Sequence, residues 1–285
     1  MSRAYEITDQ SIIGKNHRLK VYEPDQLIFP NPILALHGMW ATNRRWENFG
    51  KFFSERGFRV LAPDLRHHHT DNNLPELGTT SVLDYCSDIA NLIGALRVLG
   101  LPETGQLEAP IVFGHSMGGL IAQKLPEIAP VHSLILINSA PPQGIKLHAD
   151  WRYQLAILRN LPEILGRKPF KLSFKTYARF IMNNMPDSQW PELYQGAVHE
   201  SGQAALDIRF GKVAVNFSKI TMPTLIIGCE KDRITPRAIA RDIGSKMQQD
   251  DWTHWCYPQF AHWPQVEPGW ELAANDILNW LTKEK

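Results

Sequence analysis

The stretch "IVFGHSMGGLIAQKL", Ile111 to Leu125, decides the fold of this chain. It begins with a short apolar run typical of a buried strand, after which apolar residues recur at helical spacing. Ser116 stands at the abrupt turn between these two patterns, flanked by Gly114 and Gly118, where a Cβ atom would be crowded. A strained turn from strand to helix with a serine at its tip is typical of a nucleophile elbow. The stretch therefore predicts that the hydroxyl of Ser116 projects above a sheet.

The composition is that of a globular protein. The chain has 285 residues, of which 44% are hydrophobic and 21% charged, and its formal net charge is +1. This length can hold one α/β domain with an insertion or two domains. The near-neutral charge argues against a protein that binds nucleic acid or a membrane surface.

The cysteines and the N-terminal residues bear on the compartment. Cys86, Cys229 and Cys256 cannot all pair and lack metal-ligand spacing, so we expect buried free thiols in a reducing compartment. The first residues, "MSRAYEITDQ", are polar, and no apolar run reaches the roughly 18 residues of a membrane span. We therefore expect a cytoplasmic protein without a membrane span.

Strand and helix patterns alternate along most of the chain. After a polar hairpin over 3–23, apolar strand patterns occur at "PILALHG", "FRVLAPDL", "PIVF" and "SLILIN", with helical patterns between them. Such alternation predicts a parallel sheet with right-handed crossovers, and strands that are apolar throughout are covered on both faces. The predicted fold class is α/β, with a mostly parallel, doubly wound sheet.

The alternation is interrupted between "SAPPQG" and "PTLIIGCEKD". Residues 141–216 contain helical patterns without a convincing strand, and the alternation then resumes to the C-terminal helix. We interpret 1–140 and 217–285 as two parts of one core, and 141–216 as a helical lid inserted before the last two core strands. The lid would lie over the carboxyl ends of the strands, where open α/β sheets bind ligands.

Five blocks of the sequence resemble the α/β-hydrolase superfamily in order and spacing. They are "LALHGMW", "VLAPDLR", "GHSMGG", "LIIGCEKDRITP" and "FAHWP", and they extend over almost the whole chain. The resemblance implies the α/β-hydrolase fold and a lid-bearing serine esterase or thioesterase that needs no cofactor. Two departures are Ala261, where the family usually has glycine, and the pair His67 and His69, which replace glycines of an Arg-Gly-His-Gly pattern.

A serine of this kind requires a histidine and a carboxylate, because the imidazole takes the hydroxyl proton and the carboxylate orients the imidazole. Asp232 directly follows "TLIIGCE", where the resemblance places the acid, whereas Glu230 lies nearer the strand. The family's other position for the acid is excluded, because "INSAPP" has no carboxylate. His262 follows the last strand pattern, where the family has its base. The predicted catalytic residues are Ser116, Asp232 and His262.

Two backbone amides are predicted to form an oxyanion hole. Met39 follows "HG" at the end of its strand, and Met117 follows the serine at the start of its helix. Cleavage of an ester or thioester places negative charge on the carbonyl oxygen, which preorganised N–H groups stabilise. Trp40 and Trp263, next in sequence to the first amide and to the histidine, are the candidate substrate-binding residues.

The histidine run "RHHHTDN", residues 66–72, does not predict a metal site. Three consecutive histidines cannot all face one ion, and no carboxylate is spaced to complete the ligand set. We expect neither a metal nor a cofactor, and we expect this stretch to border the substrate pocket.

The leading interpretation is a serine hydrolase that cleaves a carboxylic ester or thioester through an acyl-enzyme. Cleavage of a C–C bond, opening of a lactone and acyl transfer stay open, and a non-enzymatic ligand receptor is the alternative from another class. Aromatic residues of the insertion favour an apolar pocket for a small-molecule substrate. No pattern identifies the acyl group or the oligomeric state.

The segment "GRKPFKLSFKTYARF", residues 166–180, concentrates positive charge. Lys171, Lys175 and Arg179 recur every four residues, which predicts one amphipathic helix with a basic stripe. The ordinary interpretation is a solvated helix face. The functional interpretation is that the stripe steers an anionic substrate, such as a CoA or acyl-carrier thioester, toward Ser116.

Overall fold

The computed structural model describes residues 3–7, 18–68, 74–101, 105–248 and 252–283. Its strands are β1 Arg3–Ile7, β2 Leu19–Glu23, β3 Phe29–Leu36, β4 Phe58–Pro63, β5 Ile111–His115, β6 Ser133–Ile137, β7 Pro169–Phe170, β8 Glu200–Ser201, β9 Thr224–Cys229 and β10 Trp252–Tyr257. Eight of them form one sheet, in the order β1-β2-β4-β3-β5-β6-β9-β10.

The sheet is mostly parallel, as predicted. β1 pairs antiparallel with β2, and β2 antiparallel with β4. All the remaining neighbours of the described sheet, from β4 across to β10, pair in parallel. The α/β fold class predicted from the alternation of strand and helix patterns is therefore confirmed.

The α-helices of the described residues flank this sheet and fill the segment before β9. They are α1 Glu47–Ser54, α2 Pro75–Thr79, α3 Val82–Val98, α4 Met117–Lys124, α5 Trp151–Ile157, α6 Leu161–Leu165, α7 Phe174–Phe180, α8 Trp190–Gln195, α9 Gly202–Arg209, α10 Arg237–Gly244 and α11 Trp270–Lys283. None of the described helices is both long enough and apolar enough to span a membrane.

Apolar side chains cover the sheet on both faces. Along β3, Leu34 and Leu36 join one buried cluster, while the alternate residues Ile33 and Ala35 join another. Residues of α3, α4 and α10 belong to the first cluster, and residues of α1 and α11 to the second. The strands are apolar at successive positions because each face packs against helices.

The order of the strands places a crevice beside β3. β4, the next strand along the chain, lies on one side of β3, and β5 lies on the other side. The loops that follow β3 and β5 therefore lie side by side at the carboxyl edge of the sheet. Open α/β sheets bind ligands at such a switch point.

The segment between β6 and β9 holds α5 to α9 and the antiparallel strand pair β7-β8. The expectation that this segment has no strand was wrong, because two strands of two residues each are too short to leave a period-2 pattern. Its apolar side chains pack into a third cluster that includes Trp40 and Trp263 of the core. The insertion therefore rests on the loops that follow β3 and β10.

The cysteines follow the prediction in part. All three are free thiols, and Cys86 and Cys229 are buried, but Cys256 is exposed. Cys256 lies on β10, which is an edge strand of the sheet, so an apolar pattern there does not imply that both faces are covered.

Candidate active site

Ser116 occupies the turn between β5 and α4 in a strained backbone conformation. Its φ is 53° and its ψ is −119°, a region that few residues with a side chain adopt. Its N–H donates to the carbonyl of Ile137 over 3.1 Å, and its carbonyl accepts from the N–H groups of Gly119 and Ala140, each at 2.9 Å. These bonds hold the turn in place, so the position of the hydroxyl is defined by the sheet.

The glycines of the elbow are required by close backbone contacts. A Cβ atom on Gly118 would lie 2.3 Å from the carbonyl oxygen of Leu36, and one on Gly114 would lie 2.5 Å from the carbonyl oxygen of Gly118. The first turn of α4 therefore packs directly against the end of β3. This approach brings Ser116 next to the loop that carries Met39.

Asp232 and His262 meet at the carboxyl edge of the sheet, after β9 and β10. Nδ1 of His262 lies 2.8 Å from Oδ2 of Asp232. The other carboxylate oxygen accepts from the N–H groups of Ile234 at 2.8 Å and Thr235 at 2.9 Å, and the Thr235 hydroxyl donates to Oδ2 at 2.8 Å. Each carboxylate oxygen thus has at least two partners, which orients the group toward the imidazole.

Both members of this pair are buried, with 4% of each residue exposed. Burial by itself favours the neutral carboxyl, but the His262 imidazole and the hydrogen bonds to Asp232 outweigh it and lower the pKa of Asp232 below its usual value. Asp232 is therefore a carboxylate at neutral pH. The competing Glu230 points elsewhere, since its carboxylate lies 2.7 Å from the guanidinium of Arg237 at the surface.

Two further residues, His115 and Asn138, hold the histidine loop, a role that no sequence pattern assigns to either of them. Nε2 of His115 lies 2.7 Å from the carbonyl oxygen of His262. The side-chain amide of Asn138 donates to the carbonyl oxygens of Ala261 at 2.8 Å and His262 at 3.2 Å. Asn138 has a φ of 44° directly after β6. An asparagine directly after the apolar strand pattern was the signal available in the sequence, but the partners of Asn138 are more than a hundred residues away.

Met39 and Met117 both lie beside Ser116. Met117 is the first residue of α4, where backbone N–H groups have no partner within the helix. A Cβ atom on Gly38 would lie 2.8 Å from Cβ of Ser116, so the residue before Met39 touches the serine. Met39 also lines the pocket that contains Ser116. The structure brings both predicted oxyanion residues to the serine.

One pocket contains the serine and the histidine together with both candidate substrate-binding tryptophans. Ser116, His262, Trp40 and Trp263 all line it. Trp40 has a φ of 57° and packs edge-on against Phe170 of the insertion, with ring centroids 5.6 Å apart. The ring of Trp263 lies under the guanidinium of Arg45, with Cζ 4.2 Å from the ring centroid.

Much of the remaining pocket wall comes from the insertion and is apolar. The apolar lining residues of the insertion are Leu147, Ala149, Tyr153, Ile157, Leu158, Phe170, Ile181, Ala205 and Ile208. Gln154 and Arg209 also line the pocket. The described lining residues include no lysine, aspartate or glutamate, and Arg209 is their one arginine. Arg209 is exposed at the end of α9.

The histidine run lies away from this pocket where it is described. His68 is fully buried, and its Nε2 lies 3.0 Å from a carboxylate oxygen of Glu200, a residue of the insertion. His67 and His68 do not line the pocket, so the expectation that this stretch borders it was wrong for them; His69 lies outside the described residues. No group of three or more side chains with metal-binding geometry occurs among the described residues.

The predicted basic helix was wrong. Helix α7 covers only Phe174–Phe180, because Pro169–Phe170 forms strand β7 and Lys171 precedes the serine that caps the helix. The ammonium of Lys171 donates to the carbonyl of Ala197. Lys175 and Arg179 line a separate surface hollow, not the pocket of Ser116. The stripe is therefore not one helical face at the pocket.

Comparison with known proteins gives consistent matches. A model of the family described as "Alpha/beta hydrolase family" matches residues 33–271. A non-heme chloroperoxidase of Streptomyces lividans is 23% identical over 224 residues, which are 73% of this chain and 77% of that protein. A monoacylglycerol lipase of Mycolicibacterium smegmatis is 22% identical over 267 residues, 92% of this chain and 91% of that protein.

A solved structure supports the same fold. An esterase from Exiguobacterium antarcticum superimposes with a TM-score of 0.70 at 19% sequence identity, covering 93% of this chain and 95% of that chain. At this identity the likeness concerns the fold and not the substrate.

Proposed function

The chain belongs to the alpha/beta hydrolase family, and we propose that it is a serine hydrolase that cleaves a carboxylic ester or thioester through an acyl-enzyme on Ser116. The observation that carries this proposal is the 2.8 Å contact between His262 Nδ1 and Asp232 Oδ2, made by a histidine that lines the same pocket as the strained serine. A buried carboxylate with this set of hydrogen bonds fixes the tautomer of the imidazole and stabilises its protonated form.

In the first half of the reaction, Nε2 of His262 takes the hydroxyl proton as Oγ of Ser116 bonds to the carbonyl carbon of the substrate. The tetrahedral intermediate then expels the alcohol or thiol, which leaves with the proton from His262. In the second half, His262 takes a proton from water, whose oxygen attacks the acyl carbon. Release of the carboxylic acid returns the proton to Ser116.

The N–H groups of Met39 and Met117 are proposed to stabilise the negative charge on the carbonyl oxygen. Support comes from Gly38 and Gly118, where the loop after β3 and the serine turn lie so close together that neither position has room for a side chain. Two amides held by the sheet and by a helix start need no reorganisation when the charge develops.

The pocket supports a proposal for the substrate as well. We interpret residues 141–216 as a lid whose apolar residues, with Trp40 and Trp263, contact the acyl part of the substrate. The exposed Arg209 of this lid lines the pocket, and none of the ion pairs of the described residues includes it. This guanidinium favours a substrate with an anionic group remote from the scissile bond, such as a carboxylate or the phosphates of a CoA thioester.

A fluorophosphonate probe tests the proposed reaction. It should label wild-type protein and not Ser116→Ala, because phosphonylation requires an activated serine. A series of p-nitrophenyl esters and acyl-CoA thioesters of increasing chain length would then define the acyl group. Labelling without turnover of any ester or thioester would instead favour C–C bond or lactone substrates, and failure to label would favour a ligand receptor on the same fold.

A further inference from the structure

The loop that carries His262 is held by a second buried carboxylate, that of Glu267. This side chain is fully buried. Its Oε2 accepts from the N–H of Ala261 at 2.8 Å, and its Oε1 accepts from the N–H of Trp263 at 2.8 Å. The two amides belong to the residues on either side of His262, so one carboxylate is hydrogen-bonded to the backbone both before and after the proposed base.

The insertion supplies a third donor to the same carboxylate. The side-chain amide of Asn184 donates to Oε2 of Glu267 at 2.6 Å and to the carbonyl of Gln259 at 3.0 Å. Its carbonyl oxygen Oδ1 accepts from the ammonium of Lys231 at 3.1 Å. Asn183, the preceding residue, donates to the backbone carbonyl of Lys231 at 3.1 Å. Lys231 directly precedes Asp232, so the two asparagines of the insertion touch both the acid loop and the histidine loop.

We propose that Glu267 is a positioning residue for His262, and that Asn184 makes this positioning depend on the insertion. The proposal rests on the proposed role of His262 as the base. Glu267 does not line the described pocket and therefore acts through the loop. Its carboxylate fixes the peptide groups on both sides of the histidine, and so fixes the direction of the imidazole toward the serine.

The charge of Glu267 has a second effect. Burial raises the pKa of Glu267, whereas the three donors and the neighbouring His262 favour its charged form. A carboxylate at this position adds to the stabilisation that Asp232 gives to the protonated form of His262. The other titratable or charged groups that face this cluster are His115 against the His262 ring, Cys229 near Glu267, Arg45 over the Trp263 ring and Lys231 through Asn184.

The test compares Glu267→Gln with a matched control, Glu200→Gln. Glu200 is also fully buried and also accepts a backbone amide, that of Ser201 at 2.7 Å, but it contacts His68 and Tyr85 instead of the histidine loop. Glutamine at 267 keeps the shape but can accept only one of the two amide bonds. We expect kcat for a p-nitrophenyl ester to fall about 10- to 100-fold in Glu267→Gln, as small displacements of reacting groups do, while kcat of Glu200→Gln stays near wild type.

A pH profile separates positioning from general loss of structure. Because Glu267→Gln removes a negative charge near the imidazole, the acid limb of kcat/KM should move to lower pH, which a purely structural defect would not cause. Asn184→Ala, at a half-buried site, should also lower kcat, but by a smaller factor than Glu267→Gln. The loss of kcat in the double variant should be smaller than the product of the two single losses.

The outcomes distinguish this proposal from the proposed function. If His262→Ala abolishes turnover while Glu267→Gln keeps wild-type kcat and the wild-type acid limb, the positioning role is wrong and the base stands. If His262→Ala itself retains turnover, the proposed function fails first. Should Glu267→Gln not fold, Asn184→Ala decides: an unchanged kcat would overturn the dependence on the insertion.

Discussion

The ring of His115 holds the loop of His262, since its Nε2 lies 2.7 Å from the backbone carbonyl oxygen of that residue. A carbonyl can only accept, so Nε2 of His115 carries a proton. Burial lowers the pKa of His115 to about 3, and the ring is therefore neutral at physiological pH. The residue directly before the proposed nucleophile thus supports the proposed base.

This buried neutral histidine predicts a specific pH dependence of stability. His115 has an ordinary pKa of 6.5 and a native pKa of about 3, so between these values the unfolded chain binds a proton that the native protein does not. Its contribution to the unfolding free energy falls by about 1.4 kcal/mol per pH unit as the pH is lowered through this window. His115→Gln keeps a donor for the carbonyl but does not titrate. Urea unfolding at pH 6.5 and pH 5 should show the wild type losing about 2 kcal/mol more than the variant. An equal loss in both proteins would mean that His115 is charged in the native state.

Replacing the proposed nucleophile and the proposed acid should have unequal effects. Ser116→Ala should lower kcat by about 10⁴-fold or more without changing Tm, because only a hydroxyl at the surface of the pocket is lost. Asp232→Asn should cost less activity, since a misoriented imidazole retains some function as a base. It should also lower the unfolding free energy by about 1 to 3 kcal/mol, because the amide cannot satisfy all the donors around Asp232. Active-site titration excludes contaminating wild type, and a larger kcat loss in Asp232→Asn than in Ser116→Ala would contradict the roles assigned.

The close approach of α4 to β3 predicts the effect of a single methyl group. Gly118→Ala should lower both kcat and Tm, because the new Cβ would lie 2.3 Å from the Leu36 carbonyl oxygen and must push the serine turn away from the Met39 loop. Overpacking of this kind costs about 1 to 3 kcal/mol. Gly94→Ala is the matched control, since a Cβ there meets nothing within 4 Å on helix α3. That variant should be stabilised by about 0.5 to 1 kcal/mol and keep its kcat. Thermal unfolding and steady-state kinetics measure both, and a tolerated Gly118→Ala would show that the turn can relax.

A charge at the pocket predicts substrate preference. Arg209→Gln should raise KM for a p-nitrophenyl ester whose acyl chain ends in a carboxylate, and leave a neutral ester of equal length nearly unchanged. The control is the double variant Lys175→Gln with Arg179→Gln, which removes two exposed cations that do not line the pocket. Kinetics with both esters at low and high salt test this difference. Equal effects on the two esters would show that Arg209 does not recognise the substrate. If the control variant lost activity only with the anionic ester, the basic segment would have the steering role after all.

Much of the fold follows from local patterns. The alternation of apolar strands with amphipathic helices predicts the parallel sheet, because period 2 and period 3.6 are set by backbone geometry over a few residues. The turn at Ser116 is encoded locally in the same way, since its flanking glycines are needed wherever a strand enters a helix so abruptly. The loops of Asp232 and His262 were identified through a resemblance to a family, and their catalytic roles stay predictions.

The tertiary structure decided which distant groups meet. No pattern pairs Glu267 with the amides around His262, or Asn184 with Lys231, because such contacts join segments whose approach depends on how the whole sheet and insertion pack. The basic segment shows the reverse case: residues 166–180 have helical spacing, yet strand β7 and the contact of Lys171 with Ala197 interrupt the helix. Spacing along a chain determines local periodicity, but hydrogen bonds to distant strands and loops can outweigh that periodicity, so the positions of the charges were determined only by the folded chain.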